Sequence, residues 1–263
     1  GRVKYTVQVI VPTAGGGGGK AAGSSTYTTS ATGYSLFDAN RNLVKQLGKK
    51  PFYGLSEVIL FSHKIASKGI GPYLDYFIRD PEIRGRSSIV ITKQDAEEVL
   101  KADHGIEPIS ATGINTMVDA LSVSGAIITV DLIHFLRQLF NDMTCPVASV
   151  VELRKGNPKE GGVGAEGSDK EEARKMLYTT GGCFFKGDKC QGFLTGKEAR
   201  GLNWITTPGD IRGPILVHTP HEPQERRISV EILRTTSKII PQMINYEFKI
   251  KLYVETEGLI TED

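Results

Sequence analysis

Residues 182–205 read GCFFKGDKCQGFLTGKEARGLNWI, and this stretch decides how the remainder of the chain is read. An apolar run ends at Lys186-Gly187-Asp188-Lys189, and a second returns through Phe193 and Leu194. A Gly-Asp pair between two strand-like runs is a hairpin signal, because glycine accepts the positive φ that a two-residue turn needs. Thr195-Gly196-Lys197-Glu198 then matches a capping box, in which the hydroxyl and the carboxylate each satisfy a backbone amide left open at a helix start. The helix that follows is expected to carry Leu202, Trp204 and Ile205 toward a core, with Trp204 a packing anchor and not a ligand platform. Hairpin, cap and helix form a folding unit without evident chemistry.

Cys183 and Cys190 flank the hairpin turn. With Gly187 and Asp188 at the turn, an unbroken register places Phe185 opposite Cys190 and Cys183 opposite Gly192. The two sulfurs are then diagonal neighbours with Cα atoms roughly 7–8 Å apart, beyond comfortable bridging distance. The expectation is therefore a pair of buried free thiols.

Working toward the N-terminus, Pro146–Leu153 reads as a strand, preceded by the clearest amphipathic pattern in the chain: Leu132, Phe135, Leu136, Leu139 and Phe140 at helical spacing. His134 falls on the polar side of that helix. Glu107–Ala126 is poor in charge and rich in Ser, Thr and Gly, and reads as an inter-domain connection with an associated helix. Upstream, a strand at 3–11, a β-like stretch after the polyglycine run, a helix from Ser35 to a stop at Gly48, strands at 57–61 and 88–92, a helix from Pro72 and a cap at Asp95 alternate in β, α order. Toward the C-terminus, 175–179 and 215–218 read as strands, 219–223 as a linker, and 228–233 and 246–254 as strands flanking a helix at 237–243. Lys155–Glu172 is polar and glycine-rich, the composition of a surface loop. The fold class is α+β and multidomain: two mixed α/β domains with antiparallel-rich sheets, residues 1–125 and 126–218, plus the start of a third, 219–263.

The chain has 263 residues, 39% hydrophobic and 24% charged, with a formal charge of +2. Nothing in that balance marks a nucleic-acid partner, and no apolar run reaches the ~18 residues of a membrane span. Alternation is already under way at Val3, and the last strand stops near Asp263, so the sequence reads as an excerpt of a longer chain.

Few motifs suggest chemistry. Gly15–Gly19 with Lys20 invites a phosphate-loop reading, but Ala14 and Ala21 stand where that motif needs Gly and Ser or Thr. His218 and His221 alone have ligand-like spacing, in a linker without nearby cysteine. Ser122–Gly125 lacks the first glycine of a nucleophile elbow. In YFIRDPEIRGR (76–86), three arginines are expected to hold Asp80 and Glu82 ionised, the opposite of what a catalytic acid requires. That string reads as an ion-pair cluster fixing a helix end, or as an interaction surface. No catalytic, cofactor-binding or metal-binding residue is assigned, and no cofactor is called for.

Several stretches stand together in an unusual combination: FFKGDKCQGFLTGKEARGLNW, VQVIVP before polyglycine, RNL within a helix, YFIRDPEIR, DLIHFLRQLF and PVASVVELRKG. In these the chain resembles the C subunit of bacterial spore germinant receptors, the Ger(x)C lipoproteins. The landmarks span most of residues 3–218; the cysteines at 183 and 190 depart from the small or aliphatic residues expected there. The resemblance implies a non-enzymatic lipoprotein, with a signal peptide and a palmitate-type lipid anchor upstream and further domain sequence downstream. It implies a place at the outer face of the spore inner membrane beside the integral membrane A and B subunits, the isolated soluble part being a monomer. Arg79, Asp80, Glu82, Arg84 and Arg200 are the candidate residues for partner interaction. Two alternatives stay open: a germinant-binding subunit, which a pocket of a few hundred Å³ with paired charges would favour, and a hydrolase with a site split among loops.

Overall fold

The structure, a computed structural model, describes residues 1–11, 25–102, 107, 109–122, 124–155, 175–179, 181–207, 211–218, 227–244 and 246–261. The polyglycine run, the polar stretch at 156–174 and His221 lie outside the described residues.

Strands β1 (Val3–Val11) and β2 (Ser25–Gly33) pair antiparallel, with Val3 opposite Gly33 and Val11 opposite Ser25. Helix α1 (Leu36–Leu47) follows, begun by the Ser35 hydroxyl accepting from the Asp38 amide and ended by Gly48 in the left-handed conformation. Leu36, Ala39 and Leu43 are its buried residues, the 3–4 spacing of one helix face.

The main sheet is mixed. Strands β3 (Val58–Ser62), β4 (Ser88–Thr92) and β5 (Val147–Lys155) run parallel in that order. The far edge of β5 is shared: β6 (Lys175–Thr179) pairs antiparallel with Val151–Lys155, and β7 (Gly182–Lys186) pairs with Val147 and Ala148. Strand β8 (Lys189–Leu194) completes the hairpin on β7. Helices α2 (His63–Ala66) and α3 (Gly71–Arg79) link β3 to β4, while α4 (Ala96–Lys101), α5 (Ser110–Ser122) and α6 (Leu132–Leu139) link β4 to β5.

Because strand side chains alternate between faces, the sheet builds two cores. On one face Ile59, Phe61, Ile89, Ile91, Ala148 and Val150 pack with Leu74 and Phe77 of α3 and Leu132 and Phe135 of α6. On the other, Val90, Val151 and Leu177 pack with Val99 of α4 and Ile114 and Val118 of α5. Phe135 meets Phe185 of β7 edge to face, centroids 5.1 Å apart, an arrangement contributing about 0.5–1.5 kcal/mol beyond area burial. This sheet joins residues on both sides of position 125, since β4 and β5 are hydrogen-bonded neighbours.

Helix α7 (Gly196–Thr206) leaves β8 and leads to a second sheet of β9 (Gly213–His218), β10 (Arg227–Ile244) and β11 (Glu247–Thr261), in the order β11-β10-β9 and antiparallel throughout. The chain is thus a multidomain α+β fold with antiparallel-rich sheets.

Four expectations are corrected. Cys183 and Cys190 form a disulfide with Cα atoms 6.4 Å apart. A register shift in the hairpin makes Cys183 face Phe193 while Phe185 still faces Cys190, so the unbroken-ladder distance does not apply. Residues 237–243, expected as a helix, lie within β10, where Ile239, Pro241 and Met243 alternate opposite Leu252, Ile250 and Phe248. Pro241 is tolerated there because β9 pairs with β10 only as far as Ile232, so among the described residues no strand on that edge of Pro241 needs its amide. Phe140 is the C-cap of α6 and 79% exposed, so the helix face ends at Leu139. On α7 only Ala199 is fully buried; Leu202 and Trp204 are half-buried and Ile205 is exposed.

Candidate functional site

Two regions gather the polar groups of interest. The first surrounds the start and end of α3. Its cap position is Ile70, which has no side chain able to satisfy the helix amides. Asp188, at the tip of the β7–β8 hairpin, supplies the acceptors from 117 residues away: its carboxylate takes the Gly71 amide at 3.1 Å, and its carbonyl takes the Ile70 amide at 2.9 Å. The carboxylate also lies at the positive end of the helix dipole. Gly69 has φ +119, and a Cβ built there lies 2.6 Å from Asp188 Oδ2, so conformation and space both require glycine.

At the other end of α3, the sequence-predicted residues are placed as follows. Arg79 pairs with Asp75 one turn back at 2.8 Å, both well exposed. Asp80 accepts the Glu82 amide at 3.0 Å, closing the turn after the helix. Glu82 pairs with Lys50 at 2.5 Å and accepts the Tyr53 amide, and these contacts hold its carboxyl below the usual range. Arg84 is exposed and its carbonyl accepts from Ser87. The expected cluster of three arginines around Asp80 and Glu82 is therefore corrected: the cation on Glu82 is Lys50, and Arg79 turns back along its own helix. Nearby, Tyr53 donates to Asn40 Oδ1 at 2.6 Å and Asn40 Nδ2 donates to the Tyr76 hydroxyl at 2.9 Å. Burial pushes both phenols up to about 12, so both stay neutral near pH 7 and hold the turn through these hydrogen bonds.

Arg200 is apart from this cluster. On α7, its guanidinium donates to the carbonyls of Pro214, Arg212 and Gly213 at 2.7, 3.1 and 3.3 Å, holding the helix against the start of β9. Burial lowers its pKa. Asn203, one turn on, donates to the carbonyls of Gly125 and Ile127. Trp204 Nε1 is enclosed with no acceptor among the described residues. The capping box at the start of α7 is present as read from sequence, with Thr195 and Glu198 each accepting from the other's amide.

The second region is a cleft of about 330 Å³ at the carboxyl ends of the parallel strands β4 and β5, closed by β6, β8 and the start of α7. Val150, Glu152 and Arg154 follow one another on one face of β5; Val150 is core, and the two charged residues continue that face beyond the helices. Glu152 accepts from Arg154 at 2.5 Å and pairs with Lys93 at 3.4 Å. Burial opposes ionisation of Glu152, but the Arg154 hydrogen bond and the Lys93 and Arg154 charges outweigh it, and the net pKa is lowered. The Arg154 guanidinium lies 3.8 Å above the centre of the Tyr178 ring, and Lys93 lies 4.8 Å from that of Phe193. Sequence reasoning missed this cleft, because its residues come from β5, β6 and β8, from Lys93 just after β4 and from the start of α7. The only local sign is Glu152 and Arg154 breaking an otherwise apolar β5 face.

Among the described residues no group of three or more His, Cys, Asp and Glu side chains is placed to hold a metal ion. None of the described helices is long and apolar enough to cross a membrane. The mixed sheet, the antiparallel ribbon at the C-terminal end and charged groups tied into pairs define a multidomain α+β protein whose polar residues chiefly brace its elements.

Family comparison makes that class specific. Residues 1–153 match the spore germination protein N-terminal domain, and residues 180–263 match the spore germination B3/GerAC-like C-terminal domain. The chain belongs to the Ger(x)C family of spore germination proteins. It is 22% identical to spore germination protein KC of Bacillus subtilis (strain 168) over 235 residues, covering 88% of this chain and 56% of that protein. It is 24% identical to the putative spore germination protein YfkR of the same organism over 238 residues, covering 90% of this chain and 57% of the relative. Spore germination protein B3 is similar at 24% identity, covering 79% of this chain and 50% of its own length. The chain thus spans about half the length of the curated relatives it matches. The crystal structure of the GerBC protein shares the fold, with a TM-score of 0.50 at 19% identity over 100% of this chain and 68% of that one.

Proposed function

We infer that this chain is a non-enzymatic C subunit of a spore nutrient-germinant receptor, contributing to receptor assembly and germination signalling. On this reading the full-length protein carries a signal peptide and a lipid anchor. It sits at the outer face of the spore inner membrane beside the integral A and B subunits, and its soluble part is monomeric on its own. Family membership supports the receptor part. The non-enzymatic part rests on one observation: the carboxylate in the charged cleft, Glu152, is flanked by two cations that keep it ionised. General acid catalysis by a carboxyl needs a raised pKa, so the geometry turns Glu152 away from that role.

The proposed assembly surface is the exposed end of α3, with Arg79 and Arg84 facing solvent and Asp80 and Glu82 shaping the turn between them. Arg200 contributes from within, by fixing α7 on β9. The test is co-purification of full-length protein from spore membranes. Wild type is expected to bring down two integral membrane proteins, and Arg79→Glu with Arg84→Glu to lose them while the soluble domain keeps its melting temperature. Unchanged recovery of both partners with the double reversal would remove this surface from the proposal. Recovery of no membrane protein by wild type would remove the receptor reading itself.

A further inference from the structure

We propose that the cleft at the carboxyl ends of β4 and β5 is a binding site for a small organic monoanion: a carboxylate carrying a compact apolar body. The crevice beyond the carboxyl ends of parallel strands is where open α/β sheets place ligands. At about 330 Å³ the cavity is at the lower end of the range such sites occupy. Its charge is set by Lys93, Glu152 and Arg154, two cations against one anion. Glu152 is already shared by both cations, so one positive charge is left for a guest.

The donors are also in excess. Arg154 uses Nε and Nη2 on a single oxygen of Glu152, leaving Nη1 to a ligand, and Lys93 carries three N–H bonds against one carboxylate contact. Both cations are fixed in place by the rings beneath them, Tyr178 and Phe193, which limits the ordering cost of binding. The Tyr178 ring, 44% exposed, offers apolar surface for the body of the guest. Among the described residues lining the cleft an ammonium group finds no spare anion, so a zwitterion is disfavoured relative to the matching simple carboxylate.

The site is a property of this chain alone and is tested on the purified protein, so its failure leaves the receptor-subunit reading standing, and the reverse. Calorimetric titration is performed with 3-phenylpropionate, L-phenylalanine and benzylamine. The expected order is saturable binding of 3-phenylpropionate, weaker binding of phenylalanine and none of benzylamine. Arg154→Gln is expected to weaken 3-phenylpropionate about tenfold, the effect of one lost charge-assisted hydrogen bond. Lys93→Gln, at an exposed position outside the core, is expected to do the same without loss of melting temperature. Phe193→Leu should weaken it by a smaller factor. Absence of saturable binding, tighter binding of phenylalanine or benzylamine, or affinity indifferent to both cation substitutions would each overturn the proposal.

Discussion

The amide of Gly71 donates to the carboxylate of Asp188 at 3.1 Å, so a helix that has no cap of its own is capped by the turn of a distant hairpin. The contact joins the two landmarks that carried most weight in the sequence, the FKGDK turn and the helix running into RDPEIR. It also explains why both ends are built of residues with little freedom to vary: Gly69 and Gly71 leave room for the carboxylate, and Asp188 fills it.

Asp188→Ala should destabilise the protein by about 1 kcal/mol, the usual cost of losing an N-cap acceptor. Asp188→Asn, which keeps an oxygen acceptor, should recover most of that. Gly71→Ala places a Cβ 2.9 Å from Asp188 Oδ2 and should disturb the same contact from the other side. Urea denaturation of the three variants checks this. Equal stability of Asp188→Ala and wild type would show that the tip is merely adjacent.

Acid should loosen the attachment of β1 to α4. Glu97 is held down to about 2 by Lys101 and Lys4, which bond it from its own helix and from β1. A carboxyl with a lowered folded-state pKa binds fewer protons folded than unfolded, so its contribution is complete above the ordinary value of 4.5 and is lost as pH falls toward 2. Glu97→Gln should lower stability at neutral pH and flatten its decline across that window. Parallel slopes for mutant and wild type between about pH 5 and pH 3 would contradict it.

Thiol titration tests the hairpin bond. Of three cysteines, only Cys145 is free, and it is exposed. The oxidised protein, denatured without reductant, should therefore show one reactive thiol and show three after reduction. Three thiols before reduction would return the hairpin to the open pair first expected.

Arg200→Met should release α7 from β9. Three backbone carbonyls lose their donor, and at a site that water can reach each lost bond costs about 0.5–1.5 kcal/mol. Amide exchange in α7 should accelerate more than in α3, whose cap is elsewhere. Uniform exchange rates across both helices would show the guanidinium to be dispensable.

Much of this was legible because local rules agree with the fold. Ser35 and Gly48 bracket α1, Asp95 caps α4, Thr195 and Glu198 form their box, and Gly187-Asp188 turns the hairpin. The misreadings have physical causes. The register shift between β7 and β8 leaves no local mark, so a distance drawn from an unbroken ladder does not hold for Cys183 and Cys190, which are bonded with Cα atoms 6.4 Å apart. Residues 237–243 have apolar positions compatible with either period, and pairing with β11 decides for strand. The cleft was invisible because Lys93, Glu152, Tyr178 and Phe193 meet only once the sheet has assembled. Arg200 looked like a surface charge because nothing in its neighbours announces the carbonyls it serves.

The two family matches leave residues 154–179 between them, and β5 runs across the end of the first: its Val147 and Ala148 pair with β7 and its Val151–Lys155 with β6, both from beyond residue 153. A fragment cut at the end of the first match would carry a bare strand edge into solution and invite sticking to its own kind. Co-expressed halves should instead find each other, since each holds what the other lacks. Inheritance has the same constraint: a lineage exchanging one half between paralogues must keep the strand ladder, so recombination at this seam succeeds only where both edges still match.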